Sequence, residues 1–186
     1  MSEAALPDAV PPGVRRVFDA WHRVECAVAV AVFAAIVLLL MGDVFGRELL
    51  GPLLRGLGLD IGFGGIFGAP KIAVYLLVVV VYLGLGIASV QGAHLTPRVG
   101  FGWVPAGWVP AIERIADAVT ALVLLIAAFY GLVFVRASMA VDVRMPSLGG
   151  SLWPVQLMMP LGLASAAVRH LAFALWPALR PPRTAE

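Results

Sequence analysis

Four long apolar blocks dominate the pattern of hydrophobic and polar positions, and short segments rich in glycine, proline and charged residues separate them. The blocks cover approximately residues 24–45, 70–92, 112–137 and 153–176. A helix needs about 20 residues to cross a hydrocarbon core of about 30 Å, and it satisfies its backbone hydrogen bonds within the segment. We therefore predict an all-α membrane protein in which residues 1–186 form one membrane domain with four transmembrane helices.

The segment before the first block, residues 13–23, has a helical rather than a continuous hydrophobic pattern. Apolar residues recur at i, i+3, i+4 and i+7 and charged residues take the other side: Val14, Val17, Phe18 and Trp21 against Arg15, Arg16, Asp19 and Arg23. This pattern predicts an amphipathic helix lying on the lipid headgroups, with a solvated leader as the alternative. A second segment with two tryptophans and two prolines, FGWVPAGWVPAIERIADA before span three, is a candidate for the same arrangement.

Two further features support the spans. The first block exceeds the apolar core of about 7–15 residues in a signal peptide, and MGDVFG is a poor cleavage site, so we expect the block to be retained. The five tryptophans all lie at predicted ends of spans, as in the aromatic belt at headgroup level: Trp21, Trp103, Trp108, Trp153 and Trp176.

The distribution of basic residues predicts the orientation. With four spans, both termini and the loop between spans two and three share one side. That side holds Arg15, Arg16, Arg23, Arg98, Arg114, Arg180 and Arg183, whereas the other side holds Arg47, Arg55, Lys71, Arg136 and Arg144. Because cytoplasmic loops carry more Lys and Arg, we predict cytoplasmic N- and C-termini.

Composition agrees with a membrane protein and excludes other classes. The chain is 61% hydrophobic and 13% charged, whereas soluble domains are about 45–50% apolar and about 25% charged. The net charge of +2 and the scattered basic residues argue against a nucleic-acid partner. The single cysteine, Cys26, excludes an intrachain disulfide.

Charged residues inside a span are candidates for function because each costs about 2.5 kcal/mol or more at the centre of a bilayer. Arg169 lies one to two turns inside the end of span four, and we predict that it pairs across helices with an acid, the alternative being snorkelling to the headgroups. The acids at the same predicted depth are Glu25, Glu113 and Asp117. At the outer end of span one, Asp43 and Arg47 are four residues apart and can pair on one helix face.

Histidines provide an alternative hypothesis. His22, His94 and His170 all lie toward the predicted cytoplasmic side. Two histidines at matching depth on facing helices can ligate a haem, as in the membrane anchor of a redox complex. Three single histidines without a repeated spacing indicate this only weakly. We predict no cofactor, no metal site and no catalytic residues.

Small residues recur at a spacing of four on two spans. Gly84, Ala88 and Gly92 share a face of span two, and Gly162 and Ala166 repeat the spacing on span four. Such faces let helices approach closely. We expect these residues to pack within the bundle or against a partner.

Three stretches, taken in order and spacing, carry a resemblance to a known family. They are VLLLMGDVFGRELLG, YLGLGIASVQGAHLTPRV with His94 as a marker at the end of span two, and MMPLGLASAAVRHLAFAL. The chain resembles the small membrane subunit of TRAP (tripartite ATP-independent periplasmic) transporters. It departs from that family at the start of span two, where FGAPKIAVYL has Lys71 and no acidic residue.

The resemblance implies a non-catalytic scaffold in the inner membrane of a bacterium. Its partners would be the lipid bilayer, a large membrane subunit that carries an organic acid with sodium by symport, and a periplasmic substrate-binding protein. The outer loops, about residues 46–69 and 138–152, are the segments that such a binding protein would contact.

Overall fold

The computed structural model describes residues 10–58, 65–91, 105–146 and 148–180. Of these residues, 85% are helical, and they contain no strand beyond an isolated bridge between Arg144 and Ser151. Four helices are long and apolar enough to cross a membrane. The prediction of an all-α protein with four transmembrane helices is confirmed.

The described residues form nine helical elements. In chain order they are α1 (Pro12–Phe45), a π-helical turn (Gly46–Leu50), α2 (Gly51–Gly56), α3 (Ala69–Gln91), a 3-10 turn (Ala106–Trp108), α4 (Val109–Ala140), α5 (Trp153–Gln156), α6 (Met158–Leu175) and a 3-10 turn (Pro177–Leu179).

Proline marks the beginnings of these helices. Pro12, Pro70, Pro110 and Pro154 each lie in the first turn of α1, α3, α4 and α5, where the missing N–H would have no intrahelical partner. After α2 the chain turns at Gly58, whose φ of 75° is a left-handed conformation that favours glycine. Local sequence therefore sets where most spans begin.

The segment expected to lie on the headgroups, residues 13–23, forms the first turns of α1, and α1 continues without a break into the span. From Pro12 to Gly56 the helical segment has 45 residues, or about 67 Å at a rise of about 1.5 Å per residue. This length is about twice the hydrocarbon core of about 30 Å, so the segment extends well beyond it. In the second segment, residues 105–108 lead directly into α4. That either segment lies flat on a membrane stays a prediction.

The helix α6 lies at the centre of the bundle. It packs along α4 on one side and α3 on the other, and α3 also packs against α1. Its exposed residues form one narrow stripe, Leu161, Val168, Leu171 and Leu175. We call the end of the bundle that carries residues 10 and 180 the terminal end, and the opposite end the loop end.

The seam between α4 and α6 has the spacing of a coiled coil. The buried residues of α4 recur at intervals of seven, three, four and three: Ala121, Ala128, Gly131, Val135 and Ser138. A Cβ atom on Gly131 would lie 3.4 Å from Cβ of Pro160 on α6, an ordinary van der Waals contact. Small side chains let these two helices approach closely.

At Gly162 the helices α3 and α6 approach each other closely. A Cβ atom there would lie 2.4 Å from the carbonyl oxygen of Tyr82, which is closer than any side chain allows. Ala166, the other small residue expected to pack, is fully buried. Gly84 differs, because a Cβ atom on it would meet no atom of the described residues within 4 Å. The predicted face of Gly84 and Ala88 is thus not packed closely at Gly84 by the described part of the chain, and packing against a partner stays a prediction. Gly92 lies outside the described residues.

Replacing Gly162 by alanine tests this close approach. The added methyl group must push α3 and α6 apart, and overpacking of this kind costs about 1–3 kcal/mol. We expect Gly162→Ala to lower the thermal unfolding temperature of the detergent-solubilised chain. The matched change Gly84→Ala adds the same group where there is space and should not lower it. Equal destabilisation by both changes would contradict this packing.

Candidate functional site: charge clusters at both ends of the bundle

The most deeply buried ion pair of the described residues joins Glu25 of α1 to Arg169 of α6. Their side chains are 8% and 2% exposed, and the Nη2 atom of Arg169 donates to Oε2 of Glu25. Two more donors reach Oε1 of Glu25: the hydroxyl of Ser165 at 2.5 Å and the indole N–H of Trp21 at 2.7 Å. The carboxylate therefore accepts three hydrogen bonds, and the structure brings Arg169 to one of the three acids considered for it.

Helical spacing explains how the four side chains meet. Trp21 and Glu25 are four residues apart on α1, and Ser165 and Arg169 are four apart on α6, so each pair shares one helix face. Between them passes Gly86 of α3. A Cβ atom there would lie 3.2 Å from both carboxylate oxygens of Glu25, so a glycine lets the backbone of α3 lie against the charge pair.

Sequence reasoning did not find Gly86, Ser165 or the donor role of Trp21. Gly86 is two residues from Gly84 and therefore lies on nearly the opposite face of α3. The stretch LGLG contains both glycines, and the sequence does not reveal which of them faces α1 and α6. Trp21 was expected to anchor at the headgroups, whereas its ring nitrogen is bonded to a buried acid.

A second cluster joins α4 to the C-terminal residues at the terminal end. Arg180 places Nη1 at 2.5 Å from Oε2 of Glu113 and Nη2 at 2.7 Å from Oδ2 of Asp117. The other oxygen of Asp117 lies 3.0 Å from Nδ1 of His170 on α6. Glu113 and Asp117, considered as partners of Arg169, are thus in contact with Arg180 instead. Glu113 and Asp117 are four residues apart and therefore share a helix face, a spacing from which a shared cation could have been predicted.

Arg169 and His170 are consecutive residues that contact different neighbours of α6. Successive residues on a helix point about 100° apart, so Arg169 reaches Glu25 of α1 while His170 reaches Asp117 of α4. The two contacts tie three helices together at one level of the bundle.

At the loop end, Asp43 holds the chain where it returns toward α3. Its Oδ1 atom accepts a hydrogen bond from the backbone N–H of Ile66 at 2.8 Å, and Asp43 is only 5% exposed. The predicted partner Arg47 is half exposed, and its Nη2 atom lies 3.8 Å from Oδ2 of Asp43. Gly65 has a φ of 89°, and a Cβ atom on it would lie 2.4 Å from Oδ1. Asp43 therefore acts mainly as an acceptor for the backbone of the chain just before α3, a role that the i, i+4 spacing did not predict.

The remaining residues singled out from the sequence have diverse surroundings. Trp108 and Trp153 are exposed and Trp176 is half-buried, whereas Trp103 and His94 lie outside the described residues. The aromatic belt stays a prediction.

His22 lies 3.6 Å from the sulfur of Cys26 on its own helix and His170 lies beside Asp117, so neither supports the haem alternative. Within the described residues, no group of three or more His, Cys, Asp or Glu is placed to hold a metal ion.

Comparison with known proteins identifies the family. The family described as "Tripartite ATP-independent periplasmic transporters, DctQ component" matches residues 36–179, well over half of the chain. The chain belongs to the DctQ family. DctQ proteins are the small membrane component of TRAP transporters and work with a large membrane subunit and a periplasmic binding protein. Neither a curated protein nor a solved structure shows significant similarity to this chain. The DctQ match begins inside α1, after Glu25, and includes Asp43, Gly86 and Arg169.

The buried ion pair generates a sharp prediction. Arg169→Met leaves the carboxylate of Glu25 buried without its cation, which should cost about 3–5 kcal/mol of stability. Combining it with Glu25→Gln removes both charges and keeps acceptors for Ser165 and Trp21, so the double variant should recover most of the loss. Thermal unfolding of the four proteins gives the coupling energy.

The control for the ion pair is Arg47→Met. Arg47 is half exposed, and removing one member of an exposed pair should change stability by only about 0–1 kcal/mol. If Arg169→Met were as mild as this control, with no recovery in the double variant, Arg169 would be reaching the headgroups instead.

The hydrogen bond of Asp43 predicts local protection of the outer loop. Asp43→Ala removes the acceptor of the Ile66 N–H, and a bond to a charged group contributes about 1.5–3 kcal/mol. We expect the amide of Ile66 to exchange with deuterium roughly ten- to a hundredfold faster. Glu48→Ala, which removes an exposed acid nearby, should leave that amide protected. Unchanged exchange in Asp43→Ala would refute the contact.

Proposed function

We propose that this chain is the scaffolding subunit of a tripartite transporter. In this proposal it binds the large membrane subunit, which carries an organic acid together with sodium, and a periplasmic binding protein delivers that acid. Membership of the DctQ family supports a transporter of three components. The small subunit carries out no chemistry of its own in this scheme.

The observation that carries the scaffold role is the state of the buried charges. In the described part of the chain, the buried charged residues are Glu25, Asp43 and Arg169. Each has a partner within the chain: Glu25 and Arg169 pair with each other, and Asp43 accepts from Ile66. Groups that move ions or protons across a membrane must exchange partners during the cycle. Glu25 accepts from three internal donors and Asp43 accepts from a backbone amide, an arrangement better suited to fixing helices in place.

The outer helices offer the surface that a scaffold needs. Both α1 and α4 expose long apolar faces, including Val30, Phe33, Leu38 and Met41 on α1 and Leu122, Ile126, Phe129 and Phe134 on α4. Exposed apolar surface of this extent suits contact with lipid and with another membrane protein. It supports a chain that is embedded in the bilayer and held against the large subunit.

The proposal includes the location and the orientation. We place the chain in the inner membrane of a bacterium with both termini in the cytoplasm, as the excess of basic residues on that side favours. The loop end then faces the periplasm. There Phe67 and Val141 are strongly exposed, and they lie in the two loops proposed to contact the binding protein.

Reconstitution tests the proposal. The chain should co-purify with the large subunit, and uptake of a labelled organic acid into proteoliposomes should need both subunits, the binding protein and a sodium gradient. The Glu25→Gln/Arg169→Met double variant, which removes the buried charges while keeping their volume, should assemble and retain sodium-dependent uptake. An assembled complex that lost sodium dependence in this variant would show that the pair takes part in coupling.

A further inference from the structure

The first turns of α1 carry a group of exposed basic residues that the proposed scaffold role does not use. Arg15, Arg16 and Arg23 are all exposed, and we call them the basic arc because they fall within about 100° of the helix circumference. Asp19 lies on the same side, so the arc has a net charge of +2. The side of α1 that faces the bundle is separate from it and includes Glu25.

The basic arc continues directly into an apolar surface. Arg16, Arg23, Val30 and Val37 are each seven residues apart and all exposed. Positions seven residues apart drift by only about 20° around a helix. One exposed line along α1 therefore changes from basic to apolar between residues 23 and 30, and Glu25, which pairs with Arg169, lies at this level.

The position of this change relates it to the membrane. Glu25 and Asp43 both lie on the buried side of α1 and are eighteen residues apart, or about 27 Å at about 1.5 Å per residue, close to the hydrocarbon core of about 30 Å. If the core lies between these two acids, exposed residues from about 27 onward face lipid tails and Arg23 lies at the depth of lipid phosphates. Arg15 and Arg16 lie about 10–12 Å farther along the helix, from where their long side chains reach back toward the phosphates. Guanidinium groups bind phosphate oxygens through paired, charge-assisted hydrogen bonds.

Two exposed apolar residues of the same turns lie on the opposite side of α1 from the basic arc, about 100–120° from its nearest arginine. Val17 is 61% exposed and Trp21 is 43% exposed, although the ring nitrogen of Trp21 is bonded to Glu25. A basic side opposite an apolar side is typical of helices at the boundary between headgroups and acyl chains. A protein partner with acidic residues would match the charge but not the continuity with the lipid-facing line.

We propose that the basic arc of α1 binds the headgroups of anionic phospholipids at the terminal end of the bundle. Net-anionic headgroups are favoured over zwitterionic ones because the choline or ethanolamine cation of a zwitterionic lipid repels the same arginines. The site fixes the depth and rotation of α1. Because Glu25 of α1 pairs with Arg169, the site also influences the position of α6.

The full chain in neutral detergent, with the large subunit wherever the two co-purify, provides the test. Phosphatidylglycerol, phosphatidylcholine and inorganic phosphate are added in turn, and bound lipid is counted by native mass spectrometry beside thermal unfolding. We expect a preference for phosphatidylglycerol over phosphatidylcholine of about fivefold or more, and no stabilisation by inorganic phosphate at the same concentration. The triple variant Arg15→Gln/Arg16→Gln/Arg23→Gln should lose this preference.

Two controls separate charge from structure. Arg55→Gln/Arg136→Gln/Arg144→Gln removes three exposed arginines toward the loop end and should keep the preference. Replacing the basic arc by three lysines should also keep most of it, and single glutamine variants give the same comparison if the triple variant does not fold.

Three results would overturn the proposal. They are equal binding of both lipids by the unaltered chain, an undiminished preference in the glutamine variant of the basic arc, and loss of the preference in the loop-end control. Loss of the large subunit from the basic-arc variant, with equal binding of both lipids by the unaltered chain, would assign the arc to a protein contact instead.

Discussion

The carboxylate of Glu25 is the constraint on which the terminal end of the bundle depends. A charge removed from water must be matched by a cation and by hydrogen-bond donors, because an unpaired charge in a low-dielectric interior costs far more than a typical helix contact provides. Arg169, Ser165 and Trp21 supply that match. Their positions fix the rotation of α1 and α6, and they require α3 to pass with a glycine, Gly86, at the point of contact.

A single seam on α1 connects the two ends of the molecule. From residue 22 to residue 50, through the span and the π-helical turn, its less exposed positions other than Cys26 recur at alternating intervals of three and four residues, as in a coiled-coil seam. Two of these positions are acidic rather than apolar. Glu25 binds a helix at the terminal end, whereas Asp43 binds a backbone amide of the outer loop at the loop end. The same periodicity that buries one side of α1 thus places one acidic contact near each end of the span.

The four spans could be predicted from the sequence because a run of about 20 consecutive apolar residues can form few structures other than a transmembrane helix. It narrowed the partner of Arg169 to three acids by depth along the helices, but it did not select Glu25, because depth does not determine which helices are neighbours. The selection of Glu25 follows from the order of the helices across the bundle, which is α1, α3, α6 and α4. This order depends on how the helix surfaces fit together in shape. Gly162 was predicted from the sequence because small residues four apart mark close helix packing. Gly86 was not predicted, because α3 is apolar nearly all round and only its neighbours determine which of its faces is buried. Arg180 was missed because it lies beyond the last span and reaches back to α4.

The linked contacts of Arg169 and His170 limit how the helices can move. Separating α1 from α6 would leave a buried charge unpaired at a cost of about 3–5 kcal/mol, and since about 1.4 kcal/mol is a factor of ten, the separated state would be populated roughly once in a few hundred to a few thousand molecules. The adjacent contact between His170 and Asp117 holds α4 to the same point on α6. Three of the four spans therefore move together at the terminal end. In the proposed complex, a subunit held in this way can resist a moving partner without rearranging, so the large changes of conformation during transport would fall to the large subunit.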